Sequence, residues 1–359
     1  EFDPDNAPVL DDGIHDVCFF ARDLAGNRED ADGNEGNGLQ DQCVNDIKVD
    51  STAPTIDNPI TPAAPDGDNG WYTTNPTTDA DAQDPHDPDV NSVSGIAKEQ
   101  IQVDDGAWVT AAPTVIAEGE HVVRTRAFDG AGNPSPITER RVFVDKTGPS
   151  SRLVSFPPRP NDQGWFRRAI SNAVAVSDGR DGSGEDGATF QVNAEGPASY
   201  LQPFGIPDGG FNQVTVQARD LAGLKGEKDL RLQHQDRVAP YGAPVGRTPI
   251  LTLPAIGLPK PVPMAFTASD QFTPRVRVAV YVYNSLGGIV RRLPAAGTFP
   301  GGYRSPGQGS VAWDGRDERN RGVPPGVYHY RVHVTDQAGN TVLSDESPTF
   351  LVVLGLLPL

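Results

Sequence analysis

Cysteine is scarce in this sequence, with only Cys18 and Cys43 in 359 residues. The loop between them is short enough for a bridge to close it, so they are expected to form a disulfide, which places the chain outside a reducing cytoplasm. Basic residues are also few: 30 Lys and Arg stand against 48 Asp and Glu, a formal charge of −18. A balance so acidic excludes binding to nucleic acid or to anionic membrane surfaces, both of which demand a basic face. Long apolar runs are missing as well. The most apolar stretch, Phe350 to Leu359, falls far short of the roughly 20 residues of a spanning helix and is expected to be a last strand with a short tail. Glu1-Phe2-Asp3-Pro4-Asp5 has neither a basic start nor an apolar stretch, so no signal peptide opens the sequence; it reads as a mature protein or a piece of a longer one. There is no serine elbow, paired catalytic carboxylates, zinc helix or phosphate loop, so the chain is not expected to be an enzyme.

What the sequence has in quantity is glycine and proline, 39 and 34 residues, about a fifth of the chain. That suits short strands joined by many turns. It also has an internal repeat. Arg22-Asp23-Leu24-Ala25-Gly26-Asn27, Phe128-Asp129-Gly130-Ala131-Gly132-Asn133, Arg219-Asp220-Leu221-Ala222-Gly223-Leu224 and Thr335-Asp336-Gln337-Ala338-Gly339-Asn340 each close a run of β period. Each copy then marks one structural unit, and the spacing implies modules of roughly 90 to 115 residues.

Aligned on the repeated Asp, Val17, Phe19 and Ala21 fall in register with Val123, Thr125 and Ala127, with Val214, Val216 and Ala218, and with Tyr330, Val332 and Val334. This is one buried face at period two, with mostly polar residues between. The phrase itself reads as a hairpin turn, because Asp accepts from amides ahead of it and Gly or Asn tolerates positive φ. A second strand follows and ends in a proline junction: Val49-Asp50-Ser51-Thr52-Ala53-Pro54, Val144-Asp145-Lys146-Thr147-Gly148-Pro149 and the weaker Asp236-Arg237-Val238-Ala239-Pro240.

This pattern resembles the bacterial immunoglobulin-like domains that occur in tandem on secreted and surface proteins. The recurring openings Gly70-Trp71-Tyr72 and Gly164-Trp165-Phe166 strengthen the likeness, and Leu224 departs from it where Asn is expected. Val311-Ala312-Trp313-Asp314-Gly315-Arg316-Asp317 and Gly322-Val323-Pro324-Pro325-Gly326-Val327-Tyr328 are similar to blocks of the Ig-like domain of the flagellar hook-capping protein. The resemblance implies an all-β chain: an extended tandem array of Ig-like antiparallel β-sandwiches. The modules expected are 1–50, a partial one with closing strands only, then 51–148, 149–240 and 241–359, the last of hook-cap type.

Acidic clusters are the candidate sites. Asp66 and Asp68, then Asp79, Asp81, Asp84, Asp87 and Asp89, then Asp178, Asp181, Glu185 and Asp186 are spaced closely in turns, and calcium takes six to eight such oxygens. Asp30, Asp32 and Asn34 make a loose Asp-x-Asp-x-Asn pattern similar to calcium-binding thrombospondin repeats. Calcium is therefore the one candidate cofactor. His329 and His333 share a strand face but lie about 13 Å apart, too far for one metal. Trp71 and Trp165 are candidate sugar-stacking residues, although their equivalent places in two modules favour core packing.

The function expected is a non-catalytic extracellular or cell-surface segment, a stalk, spacer or adhesion array of a bacterial protein. Its partners would be another protein, a surface glycan or neighbouring copies of itself. Two alternatives are an accessory, carbohydrate-binding region of an extracellular hydrolase, and a filament subunit whose incomplete first module accepts a strand.

Overall fold

Alternation at period two dictates strands with one apolar face, and Gly-Pro-rich punctuation keeps them short; the computed structural model is built of such strands, joined by turns and two short 3₁₀ segments among the described residues. The structure describes residues 9–19, 24–26, 42–85, 94–254 and 259–355. Asp23, Asp30, Asp32, Asn34, Asp87 and Asp89 lie outside them.

Three hydrophobic cores form among the described residues. The first gathers Ile60, Tyr72, Ile101, Ile116, Val123, Val142 and Val144. The second gathers Leu153, Phe166, Ile170, Val192, Ile206, Val214 and Val216. The third and largest lies between Leu251 and Val352, around Met264, Phe266, Val280, Trp313 and Tyr330. The residues read as one inward face, Val123 to Ala127, Val214 to Ala218 and Tyr330 to Val334, are at most 1% exposed at alternate positions. Burying a side chain of that size contributes roughly 1.5 to 3 kcal/mol, so these strands are anchored by their inner faces.

Each core lies between sheets that are mainly antiparallel. Around the third, Tyr241–Pro244, Val262–Ser269 and Gly307–Trp313 form one sheet. It faces a second sheet made by Leu251–Leu253, Phe350–Leu354, Gly326–Asp336, Val276–Asn284 and Ile289–Pro294. One parallel pairing recurs in all three: Tyr72 beside Val144, Trp165 and Phe166 beside His234 and Gln235, and Leu251–Leu253 beside Val352 to Leu354. The repeated strand–opening pair Trp-Tyr or Trp-Phe thus seals the sandwich edge beside the closing strand.

Before the first core, the described residues form a hairpin, Gly13–Phe19 paired with Gln42–Val49 and bridged by Cys18 and Cys43. Counting in twos along regular strands puts the two cysteines on opposite faces. The structure resolves this with a bulge: His15 pairs with Ile47 but Val17 with Val44, and Asp46 takes φ 60. The extra residue turns Cys43 onto the face of Cys18, directly opposite it.

By contacts the chain divides into two compact units. One runs to Pro149 and includes Ser177–Asp186 and Arg219–Gly226; the other comprises Ser150–Val176, Gly187–Ala218 and Glu227–Leu359. Two segments that the sequence assigns to the 149–240 module therefore pack with the one before it.

Candidate metal centres

The repeat phrase makes the turn its residues dictate. Asp129, Asp220 and Asp336 end long strands, and each accepts through Oδ1 from the backbone ahead: Asn133 N at 2.8 Å, Leu224 N at 2.7 Å and Asn340 N at 2.8 Å. Gly132, Gly223 and Gly339 sit at φ +100, +92 and +92, which a side chain would strain.

The same carboxylates also do something else. Each meets two other aspartates, so that Asp50, Asp84 and Asp129, then Asp145, Asp178 and Asp220, then Asp236, Asp270 and Asp336 each bring one oxygen within 4.8 Å of the others. The first two trios lie wholly in the first unit and the third wholly in the second. All three have the same construction. The first member is the strand-exit Asp of the proline junction, the second sits in the next module's loop, and the third is the repeat Asp.

Their hydrogen bonds match too. Each exit Asp accepts through Oδ1 from the amide two residues on: Thr52 at 3.2 Å, Thr147 at 3.1 Å and Val238 at 2.9 Å. Each loop Asp accepts through Oδ2 from nearby amides: Gly95 at 2.7 Å, Gly184 at 2.6 Å, and Phe272 and Thr273 at 2.8 and 2.7 Å. Each loop Asp also leaves Oδ1 buried with no donor, as are Asp220 Oδ2 and Asp236 Oδ2. Asp145, Asp220, Asp236 and Asp336 are 0% exposed.

Three carboxylates held this close repel one another, and burial removes the water that would screen them. Burial pushes the Asp236 carboxyl up to about 7, reinforced by Asp270, Asp336 and Asp208. Asp178, Asp220 and Asp336 are likewise raised, chiefly by burial. Burial acts in the same sense on Asp129, but the donors of Asn133 and Gly132 together outweigh it and hold that carboxyl below its ordinary value. Among the described ion pairs, no Lys, Arg or His neutralises any of the nine. An all-oxygen donor set with bare buried lone pairs and no internal counter-charge fits a hard divalent cation, and calcium best, because it accepts irregular geometry.

Of the candidates read from the sequence that lie among the described residues, only Asp84 and Asp178 enter these clusters. Asp66 instead accepts from Thr73 N and Thr74 Oγ1, at 2.6 and 2.9 Å, and Asp68 pairs with Arg219. Asp79 caps the Ala80 amide, and Asp81 sits opposite Asp57 in a two-stranded pairing. Asp181 and Glu185 are exposed, the latter close enough to help raise Asp178. Asp50, Asp129, Asp145, Asp220, Asp236, Asp270 and Asp336 were missed. The signal was present in the recurrence of both the turn Asp and the exit Asp at every junction. Trp71 and Trp165, the candidate sugar-stacking residues, are 8% and 6% exposed and pack against Phe143 and His234, as their equivalent places in two modules suggest. His329 is 9% exposed and stacks on Tyr283.

No protein-family model matches the chain, and no curated protein matches it. Solved structures similar to it include dimeric latent PorU from Porphyromonas gingivalis, at 13% identity and TM-score 0.24, over 87% of this chain and 35% of that one. A 1.5-MDa bacterial ice-binding adhesin, solved for its host cell surface retention, is similar at 14% identity and TM-score 0.30, over 85% of this chain and 99% of that structure. Fibronectin(III)-like modules of CbhA from Clostridium thermocellum are similar at 19% identity and TM-score 0.21, over 52% and 96%. The chain thus spans about a third of the length of PorU, and at these scores none of the three bears on what it does.

Proposed function

We propose that the chain is a non-catalytic, extracellular structural segment of a bacterial secreted or surface protein, a stalk or spacer whose module junctions are clamped by calcium. The observation that carries this reading is the recurrence of one aspartate trio, in one hydrogen-bonding frame, at three successive junctions. A solitary acidic cluster has many explanations; a triplicated one, built each time from strand exit, loop and turn, points to a role in joining modules. The Cys18–Cys43 bridge supports an oxidising compartment. The buried tryptophans count against the carbohydrate-binding alternative.

The test is a calorimetric titration of the metal-free chain with calcium, paired with thermal melts in calcium and in EGTA. Three ions per chain and a higher melting temperature in calcium are expected, since a ligand bound only by the folded state stabilises it. No binding heat and superimposable melts would remove the calcium clamp.

A further inference from the structure

The three trios are not equivalent, and the difference lies in the last residue of the repeat. At the first junction the Asn133 side-chain amide donates to Asp129 Oδ2 at 2.7 Å and to the backbone carbonyl of Asp50 at 3.0 Å. At the third, Asn340 does the same to Asp336 Oδ2 at 2.9 Å and to the carbonyl of Asp236 at 3.0 Å. The two hydrogens of one amide therefore tie the turn to the strand exit before any cation is considered.

At the second junction this position is Leu224, which can donate neither bond. The turn keeps its backbone form, with Leu224 N on Asp220 Oδ1 at 2.7 Å, but Asp220 Oδ2 is buried without a partner on a residue 0% exposed. Between the turn and Asp145 stands the loop: Leu221 N donates to Gly184 O and Ala222 N to Ser183 Oγ, both at 2.9 Å, and Ser183 N donates to Asp145 Oδ2 at 2.8 Å. That loop carries the second bare oxygen, Asp178 Oδ1.

We propose that at this junction a calcium ion replaces the missing asparagine: bound by Asp145, Asp178 and Asp220, it supplies the link between turn, loop and strand exit that an amide supplies elsewhere. The inference rests on reading the trios as cation sites and adds that their structural consequences differ. Without the ion, the turns at 129–133 and 336–340 remain tied by their asparagines. The turn at 220–224 and the loop at 177–186 lose their shared anchor, with a bare buried carboxylate oxygen left to destabilise the closed arrangement.

Hydrogen exchange on the whole chain, in calcium chloride and in EGTA, reads this directly. Removal of calcium should lower protection in 177–186 and 219–226 by roughly tenfold or more, and in 129–134 and 336–340 by clearly less. Leu224→Asn should shrink the loss at 219–226 towards that of the other turns. The reciprocal change, Asn133→Leu, should make the 129–134 turn newly calcium-dependent, and it serves if the first variant fails to fold. Three bound ions with equal losses at all three turns, or substitutions that leave the pattern unchanged, would overturn this inference alone. Absence of bound calcium in the titration would overturn the clamp itself and this inference with it.

Discussion

Asn133 joins two strands' ends through one side chain, donating at 3.0 Å to the carbonyl of Asp50, 83 residues earlier, while its other hydrogen holds Asp129. Asparagine at the end of the repeat phrase therefore does more than tolerate a turn. At the first and third junctions it ties the phrase to the strand exit through the carbonyl that the exit Asp presents.

Replacing Asn133 with Ala should destabilise the first unit by about 1 to 3 kcal/mol, the range for leaving buried acceptors unpaired. The loss should be largest in EGTA, where nothing else satisfies Asp129 Oδ2, and smaller in saturating calcium. Urea denaturation in the two buffers measures both. Equal losses in each would show that the amide and the ion act on different groups.

Asp178→Asn separates ligation from ordinary structure by the sign of its effect. The change removes one negative charge from a trio in which burial, reinforced by Asp145, Asp220 and Glu185, already pushes the Asp178 carboxyl up. Without metal the variant should therefore melt higher than the parent. With calcium it should melt lower, and the titration should count one ion fewer. A variant that melts lower in both buffers would mark Asp178 as a structural hydrogen-bonding residue only.

The fold was legible because its signals are local. Alternation at Val123, Thr125 and Ala127, with its echoes at Val214 and Val332, fixes the inner face, and Gly132, Gly223 and Gly339 fix the turns. The sites were half legible. Searching for acids close in sequence finds Asp66, Asp68, Asp79 and Asp81, which are spent on local amides, an arginine and strand edges. The residues that meet are far apart, Asp50 and Asp129 for example. Only pairing in space shows that the turn Asp and the exit Asp share one point. Asp270 lacked even a repeated context, since its module departs from the others before the closing hairpin.

The hairpin carrying Cys18 and Cys43 should depend on its bridge. Among the described residues it contributes to none of the three cores, and a two-stranded ribbon alone is marginal in water. Closing a loop of this length contributes about 3 kcal/mol in the chain-entropy view. Reduction should thus expose 13–49 to rapid proteolysis and exchange, while the strands of the three cores stay protected. Unchanged digestion after confirmed reduction would mean that contacts such as those of Asp12 with Ser51 and Thr52 suffice.

His333 gives the last sandwich a pH response opposite to that of a salt-bridged histidine. Its ring lies parallel to Tyr281 at 5.3 Å, and burial, reinforced by the charge of Arg277, holds its pKa below 6.5. Above 6.5 the ring is neutral in both folded and unfolded chains and the folded state loses nothing. As the pH falls below that value the unfolded chain takes up a proton first, so stability declines on the way down. NMR titration should place the His333 midpoint below 6.5, with the signal assigned by His333→Gln. The same substitution should flatten the fall in melting temperature between pH 7 and pH 5.5. A midpoint at or above 6.5 would mean that solvent reaches the ring and that Arg277 does not govern it.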